Sequence, residues 1–220
     1  MDENVKNQIA QLVLAELEQR GVRVERSTFR VPAAVSARHV HLSQEDLYRL
    51  FGAGYELSVQ KNISQPGQYA AEETVTLEGK KGSIQNVRVL GPVRAETQVE
   101  VSRTDTYTLG IDVPVKNSGN LSGTPGITIR GPKGVITLKQ GIIVADRHIH
   151  MTPSDAARFG CRDGEKVQVK VEGVKPGILG GVTIRVSPTA AFELHLDTDD
   201  ANAFFINNGD LLEVFRKENF

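Results

Sequence analysis

The sequence carries one tetrapeptide pattern twice, and this repetition constrains the fold more than any other feature. Arg38-His39-Val40-His41 returns as Arg147-His148-Ile149-His150, and four of the 5 histidines lie in these two copies. Side chains at positions i and i+2 of a β-strand point to the same face, so each His-x-His pair forms a two-armed clamp for a metal ion. The pattern therefore predicts an internally duplicated chain with two related metal sites.

The repetition extends beyond these tetrapeptides. Residues 88–101 align with residues 183–196, so that Glu100 and His195, the fifth histidine, take equivalent positions. The first copy carries about fourteen extra residues relative to the second. We place them in residues 61–73 because that segment is rich in polar and turn-forming residues.

Each clamp needs a third ligand, and the duplication supplies one from an equivalent position. Three nitrogen or oxygen ligands with an open fourth position are typical of catalytic zinc sites, while iron or manganese would also suit such ligands. A structural zinc is disfavoured because it usually recruits four ligands with cysteine among them. The alternative is that these histidines serve packing and hydrogen bonding. The predicted ligand sets are His39, His41 and Glu100, and His148, His150 and His195.

Short helices are predicted directly after both His pairs. Ser43 can cap the first helix, which ends at Gly52, and Thr152 can cap the second, with Pro153 at its first position and Gly160 at its end. Alternating or β-branched stretches predict strands at residues 73–78, 84–89, 135–138, 142–145, 165–171 and 181–186. We expect a mainly β chain with short helices that forms two small β-barrels.

Residues 2–20 predict an amphipathic N-terminal helix, because apolar side chains recur there at helical spacing. Residues 21–30 form a short polar tether after it. Two interpretations are open, a helix packed on its own domain or a docking peptide for another protein.

Composition narrows the classes of function. The net charge of -1 and the 5% aromatic content disfavour a nucleic-acid partner. No apolar run approaches the roughly 18 residues of a membrane span, and no secretory signal is visible, so we expect no membrane partner. The single cysteine, Cys161, lies in turn-forming sequence and is interpreted as a turn residue rather than a nucleophile. Its isolation excludes a disulfide within the chain and indicates a cytosolic compartment.

Two further features could bind an anion. Arg94 follows Gly91-Pro92-Val93 and could bind an oxyanion in bidentate fashion, although a solvated surface arginine explains it equally well. The Gly-rich loop at residues 116–126 could cradle an anion with backbone N–H groups. A plain connector between strands is the better interpretation of the loop alone.

Several motifs, taken in order, resemble the phosphate propanoyltransferases, the PduL-type phosphotransacylases. They are Ser36–Ser43, Gly91–Arg94, Asn117–Gly119 and Asp146–Met151. The resemblance implies reversible conversion of acyl-CoA and phosphate into acyl phosphate and CoA, with propanoyl or acetyl as the acyl group. It implies two Zn²⁺ ions on the two ligand sets, Arg94 as a phosphate-binding residue and Ser118 in an active-site loop. The implied CoA contacts are Ser36, Lys61, Lys81, Arg88, Leu90 and Asn202.

The same resemblance implies an architecture. Two small β-barrels interleave, one from residues 31–37 and 146–215 and the other from residues 38–145, with the catalytic centre between them and a homodimer as the assembly. The N-terminal helix followed by a linker resembles the extension that directs relatives into bacterial microcompartments, where shell or cargo proteins would be its partners. Rival functions are a dizinc hydrolase of thioesters or phosphate esters, and a non-catalytic metal-binding module.

Overall fold

The structure, a computed structural model, describes residues 28–216 and, before them, residues 9, 12, 13, 16, 17, 19 and 20. The predicted helix over residues 2–20 and the linker over residues 21–30 lie mostly outside the described residues, and both stay predictions. In the part of the chain that is described, no helix has the length and apolar character needed to cross a membrane.

The described chain is mainly β-strand with short helices, as predicted. The strands are β1 (Phe29–Ser36), β2 (His39–His41), β3 (Val59–Asn62), β4 (Tyr69–Glu78), β5 (Ser83–Gly91), β6 (Gln98–Val101), β7 (Val115–Lys116), β8 (Thr128–Arg130), β9 (Val135–Thr137), β10 (Ile142–Ala145), β11 (His148–Met151), β12 (Lys166–Val171), β13 (Gly177–Val186), β14 (Glu193–Asp197) and β15 (Leu211–Phe215). The helices are α1 (Gln44–Phe51), α2 (Arg103–Leu109), α3 (Pro153–Phe159) and α4 (Thr198–Phe204).

The chain divides into two compact units whose segments alternate along the sequence. One unit contains residues 147–196, β1 up to Val35 and the segment from Asp200 onward. The other unit contains residues 36–146 and 197–199. Strand β1 therefore precedes β2 in the chain but belongs to the unit of β11, while β10 precedes β11 but pairs with β6. This exchange of leading strands confirms the predicted interleaving.

The unit that contains β11 is a closed barrel with the strand order β1-β14-β11-β13-β12-β15. Alternate side chains fill its interior, as Ile149 and Met151 do on β11 and Leu194 and Leu196 do on β14. Because neighbouring strand positions point to opposite faces, the intervening side chains of β11 and β14 lie on the outer face.

The other unit is a curled sheet in the order β7-β10-β6-β2-β5-β4-β8-β9, with β3 added on β4. Val40 on β2 and Val99 and Val101 on β6 belong to its core, together with Leu47 and Leu50 of α1. The side chains that alternate with these valines therefore lie on the face away from the core.

The two units share a four-strand motif. β11 is parallel to β13 and antiparallel to β14, and β2 is likewise parallel to β5 and antiparallel to β6. β12 and β4 complete the motif by pairing antiparallel with β13 and β5. The internal duplication is therefore confirmed in strand order and direction.

The extra residues of the first copy form a loop and β3. They lie between α1 and β4, where the second copy has only a short connection between α3 and β12. Buried Glu73 anchors the loop by accepting hydrogen bonds from the Tyr55 hydroxyl at 2.9 Å and the Ser58 amide at 3.1 Å. The predicted location, residues 61–73, is too late in the sequence, because residues 69–73 already belong to β4.

The predicted helix boundaries after the His pairs are confirmed. The Ser43 side chain caps α1 by accepting from the Asp46 amide, and Gly52 ends that helix. At α3, Thr152 and Asp155 form a reciprocal capping box. Gly160 ends α3 in the left-handed conformation at φ 61°, which a residue with a Cβ adopts only with strain.

An ion pair repeats in the two units and ties each His strand to a helix. The Nε of Arg38, directly before His39, lies 2.8 Å from a carboxylate oxygen of Asp105 at the start of α2. In the second copy, Arg147 lies 2.8 Å from Asp200 in α4. Because α2 follows β6 and α4 follows β14, each pair links the His-x-His strand to the strand that carries the third predicted ligand.

We expect Asp105→Asn to lower the free energy of unfolding by about 1–2 kcal/mol, because it weakens both the capping box of α2 and the ion pair with Arg38. Asp112→Asn is the matched control, since the Asp112 side chain is 98% exposed and pairs only with surface Arg103. Its effect should stay below about 0.5 kcal/mol. Urea unfolding measures both variants, and equal effects would contradict the anchoring role of Asp105.

Candidate metal centres

The first candidate centre is a square of four side chains on β2 and β6. In the antiparallel register His39 lies opposite Glu100, and His41 lies opposite Gln98. The residues between them point into the core, so the four polar side chains share the opposite face. All four are nevertheless buried, which requires each polar atom to find a partner or a ligand.

The backbone orients His39 for metal binding. Its Nδ1 lies 2.9 Å from the carbonyl oxygen of Ala37, and because a carbonyl only accepts, Nδ1 carries the hydrogen. Nε2 keeps its lone pair and lies 3.6 Å from Oε2 of Glu100. Zinc–nitrogen bonds of about 2.0–2.1 Å place neighbouring tetrahedral donors about 3.3–3.4 Å apart. The His39–Glu100 separation therefore suits two ligands of one ion.

His41 is also suited to bind a metal ion. Its Nδ1 is buried and is, among the buried side-chain nitrogen and oxygen atoms of the described residues, the one without a hydrogen-bond partner. Burial lowers the pKa of His41 to about 3, and the electrostatic influence of His39 and the charge of Arg94 act in the same direction. The imidazole is thus neutral at pH 7, with a lone pair that a cation can take.

Glu100 supplies a negative charge to the first centre. Burial acts to raise its pKa, but the electrostatic influence of His39 and His41, a hydrogen bond from Ser118 and the charge of Arg94 together hold it well below its usual range. The carboxyl group is therefore ionised at neutral pH. Two imidazoles and one carboxylate form the donor set that hard or borderline divalent cations bind.

Gln98 belongs to the first candidate centre, although no sequence motif identified it. Its Nε2 donates to Oε1 of Glu100 at 2.6 Å and to the Ser118 hydroxyl at 2.8 Å. Its Oε1 accepts the Gly119 amide hydrogen at 2.8 Å. The side chain thus joins the Glu100 carboxylate to the loop of Ser118 and Gly119. Its position two residues before Glu100 on the same strand face was the signal that could have identified it.

The second candidate centre is the equivalent square on β11 and β14. His148 lies opposite His195, and His150 lies opposite Glu193. The Nε2 atoms of His148 and His150 are 3.1 Å apart, close to the donor spacing of a tetrahedral zinc site. One ligand atom from each of the three histidines lies within 4.8 Å of the others. The predicted first set, His39, His41 and Glu100, meets the same criterion.

Arg94 lies near the first centre, in a turn that follows β5. Its backbone N–H donates to the Leu42 carbonyl at 2.8 Å, which fixes the turn beside β2. Its positive charge lowers the pKa of both His41 and Glu100, so the guanidinium lies within electrostatic reach of both. Gly91 opens the turn, where a Cβ would overlap the Tyr69 ring.

Two of the six predicted CoA contacts lie beside the first centre. Arg88 on β5 is paired with His39 in the parallel register and donates to the backbone carbonyl of Glu72 at 2.8 Å. The Leu90 backbone lies close enough to His41 to raise the pKa of that imidazole. Arg88 and Leu90 therefore neighbour the ligand candidates His39 and His41, because β5 pairs with β2.

The other four predicted CoA contacts are dispersed. Lys81 lies at the turn between β4 and β5, against Gly110. That turn is about 20 Å along β5 from Arg88, given the rise of a strand. Lys61 lies on exposed β3, Ser36 ends β1, and Asn202 lies on α4. These four positions therefore lie on different elements of the two units.

The chain is similar in sequence to one family over most of its length. A family model described as phosphate propanoyltransferase matches residues 32–207. A phosphate propanoyltransferase of Thermotoga maritima is 58% identical over 82% of this chain and 86% of the relative. Relatives with the same name from Rhodopseudomonas palustris and Salmonella typhimurium are 52% and 48% identical, over 86% and 94% of this chain and 84% and 95% of the relatives.

We expect Gln98→Ala to weaken metal binding at the first centre about 10–100-fold, because Glu100 loses its orienting hydrogen bond. Gln85→Ala removes an exposed glutamine of β5 in the same unit and should bind metal as the wild type does. Competition between each variant and a chelator measures the affinity. Unchanged affinity in Gln98→Ala would show that Glu100 needs no support from Gln98.

Proposed function

The chain belongs to the phosphate propanoyltransferase family, and we propose that it transfers a short acyl group between CoA and phosphate on two metal ions. Family membership makes it a transferase that uses phosphate as acyl acceptor or acyl phosphate as donor. The observation that supports a two-metal reaction is the pair of ligand sets on the strands, one of which lies beside Arg94. The acyl groups that we propose are propanoyl and acetyl.

The residues present fit two zinc ions. His39, His41 and Glu100 would hold one, and His148, His150 and His195 would hold the other. The fit rests on the unpartnered buried Nδ1 of His41, the ionised carboxylate and the donor spacings. A bound zinc supplies positive charge that stabilises developing negative charge on oxygen or on the departing sulfur.

Arg94 is proposed to bind the phosphate substrate. A guanidinium offers two parallel N–H donors that match two phosphate oxygens, and it stays charged at every physiological pH. The fixed turn from Gly91 to Arg94 holds the side chain beside the first centre, where it would orient one phosphate oxygen toward the thioester carbon. Orientation of the two reactants then supplies much of the rate enhancement.

Ser118 is proposed to act on the metal centre rather than on the substrate. Its hydroxyl hydrogen-bonds Glu100 and accepts from Gln98, and the neighbouring Gly119 amide donates to Gln98. These groups are therefore committed to holding the carboxylate. The Gly119 amide is therefore not available to the anion cradle that the Gly-rich loop could form, because its hydrogen is already donated to Gln98.

No covalent acyl-enzyme is needed in this proposal. A phosphate oxygen attacks the thioester carbon, the carbon–sulfur bond breaks, and CoA leaves as a thiolate while the acyl phosphate forms. Cys161, which could have been a nucleophile, is fully buried in the barrel core, and a nitrogen of Arg216 lies 3.3 Å from its sulfur. A thioester hydrolase would use the same ligands with water, but it would give Arg94 no phosphate to orient.

The test measures CoA release from propanoyl-CoA and acetyl-CoA with and without phosphate, before and after metal removal by a chelator. We expect release that needs both phosphate and metal, and Arg94→Gln should lower kcat/KM for phosphate about 100-fold. Arg49→Gln, which removes an exposed arginine of α1, is the matched control and should retain the wild-type rate. Release without phosphate would identify a hydrolase, and full activity after metal removal would refute the metal role.

We also propose that the chain forms a homodimer and that residues 1–20 direct it to shell or cargo proteins of a bacterial microcompartment. The amphipathic pattern of residues 2–20 and the tether after them support this assignment. Deletion of residues 1–20 should leave a dimer by sedimentation while abolishing association with shell proteins. Retained association would contradict the docking role, and a monomeric full-length chain would contradict the dimer.

A further inference from the structure

One position in the repeated squares distinguishes the two metal centres. Gln98 lies opposite His41 on β6, and Glu193 lies opposite His150 on β14. Each lies two residues before the third ligand of its centre, so the two residues occupy equivalent corners. The corner carries a neutral amide in the first centre and a carboxylate in the second.

The carboxylate of Glu193 contacts one member of the second set, His195. Its Oε2 is 3.3 Å from Nε2 of His195. The Nε2 atoms of His148 and His150 are 3.1 Å apart in the same square. Donors bound to one tetrahedral zinc are about 3.3–3.4 Å apart, so the Glu193–His195 separation and the His148–His150 separation each match the spacing of two donors on one ion.

The two corner residues make different contacts. Gln98 is almost fully buried, and its amide binds Glu100, Ser118 and Gly119. The Glu193 carboxylate contacts His195, a candidate ligand of its own centre. Gln98 therefore contacts a supporting loop, whereas Glu193 contacts a candidate metal ligand.

We propose that Glu193 is a fourth protein ligand of the second metal centre, an inference that rests on the proposed two-metal function. The second centre then contains three imidazoles and one carboxylate. Each centre carries one carboxylate, Glu100 in the first and Glu193 in the second, so the two protein ligand sets have equal charge.

The test is a Co²⁺ titration of the metal-free full-length chain, followed by visible absorption. We expect wild type to bind two ions, and Glu193→Gln to bind one of them about 10–100-fold more weakly with an altered visible spectrum. Glu193→Asp, which keeps the carboxylate, should restore part of the affinity. Glu172→Gln removes the same charge from an exposed side chain of the same unit and should match the wild type.

The outcomes separate this inference from the proposed function. If wild type binds two ions and Glu193→Gln binds both with wild-type affinity or a wild-type spectrum, Glu193 is not a ligand. If wild type binds fewer than two ions, the two-metal proposal itself is wrong. Near-ultraviolet circular dichroism of Glu193→Gln shows whether the fold is intact, so that unfolding is not mistaken for a lost ligand.

Discussion

Cross-strand pairing is the constraint on which both candidate centres depend. In β2 with β6, and in β11 with β14, one face of each strand enters a hydrophobic core and the other carries the histidines and their partners. A slip of one residue would turn the histidines into the core and expose valine or leucine. Core packing therefore fixes the register, and the register places the metal ligands.

The repeated arginine adds a second restraint to each square. Arg38 and Arg147 each directly precede a His-x-His strand and bind an aspartate in the helix that follows the partner strand. The Asp105 end of the first pair is buried, whereas the Arg38 side chain is 42% exposed. This ion pair therefore stabilises the fold mainly because it satisfies the buried carboxylate oxygens of Asp105 at the start of the helix. Coulomb attraction across water contributes less.

Local signals in the sequence predict the elements that short-range chemistry controls. Capping residues and glycines predict both helix ends after the His pairs, and the spacing of His39 and His41 predicts their shared face. The predicted position of the insertion ends too late because β4 already begins at Tyr69. Residues 69–73 belong to this strand because β4 pairs with β5, which local composition does not reveal. The bonds from Gln98 to Ser118 and Gly119 join residues about twenty positions apart, so no local pattern reveals them.

The asymmetry of the two centres also depends on long-range pairing. The exchange of Glu100 for His195 alone implies that the first centre carries one more negative charge. The register changes that conclusion, because Glu193 stands beside His195 on the same strand face. Positions i and i+2 are about 6.8 Å apart along a strand, so the carboxylates occupy different corners of their squares. If Glu193 binds the second metal as proposed, the two ligand sets have equal charge and differ in where a substrate oxygen can enter. Gln98 is held by its loop, which would leave the fourth position of a metal in the first centre open.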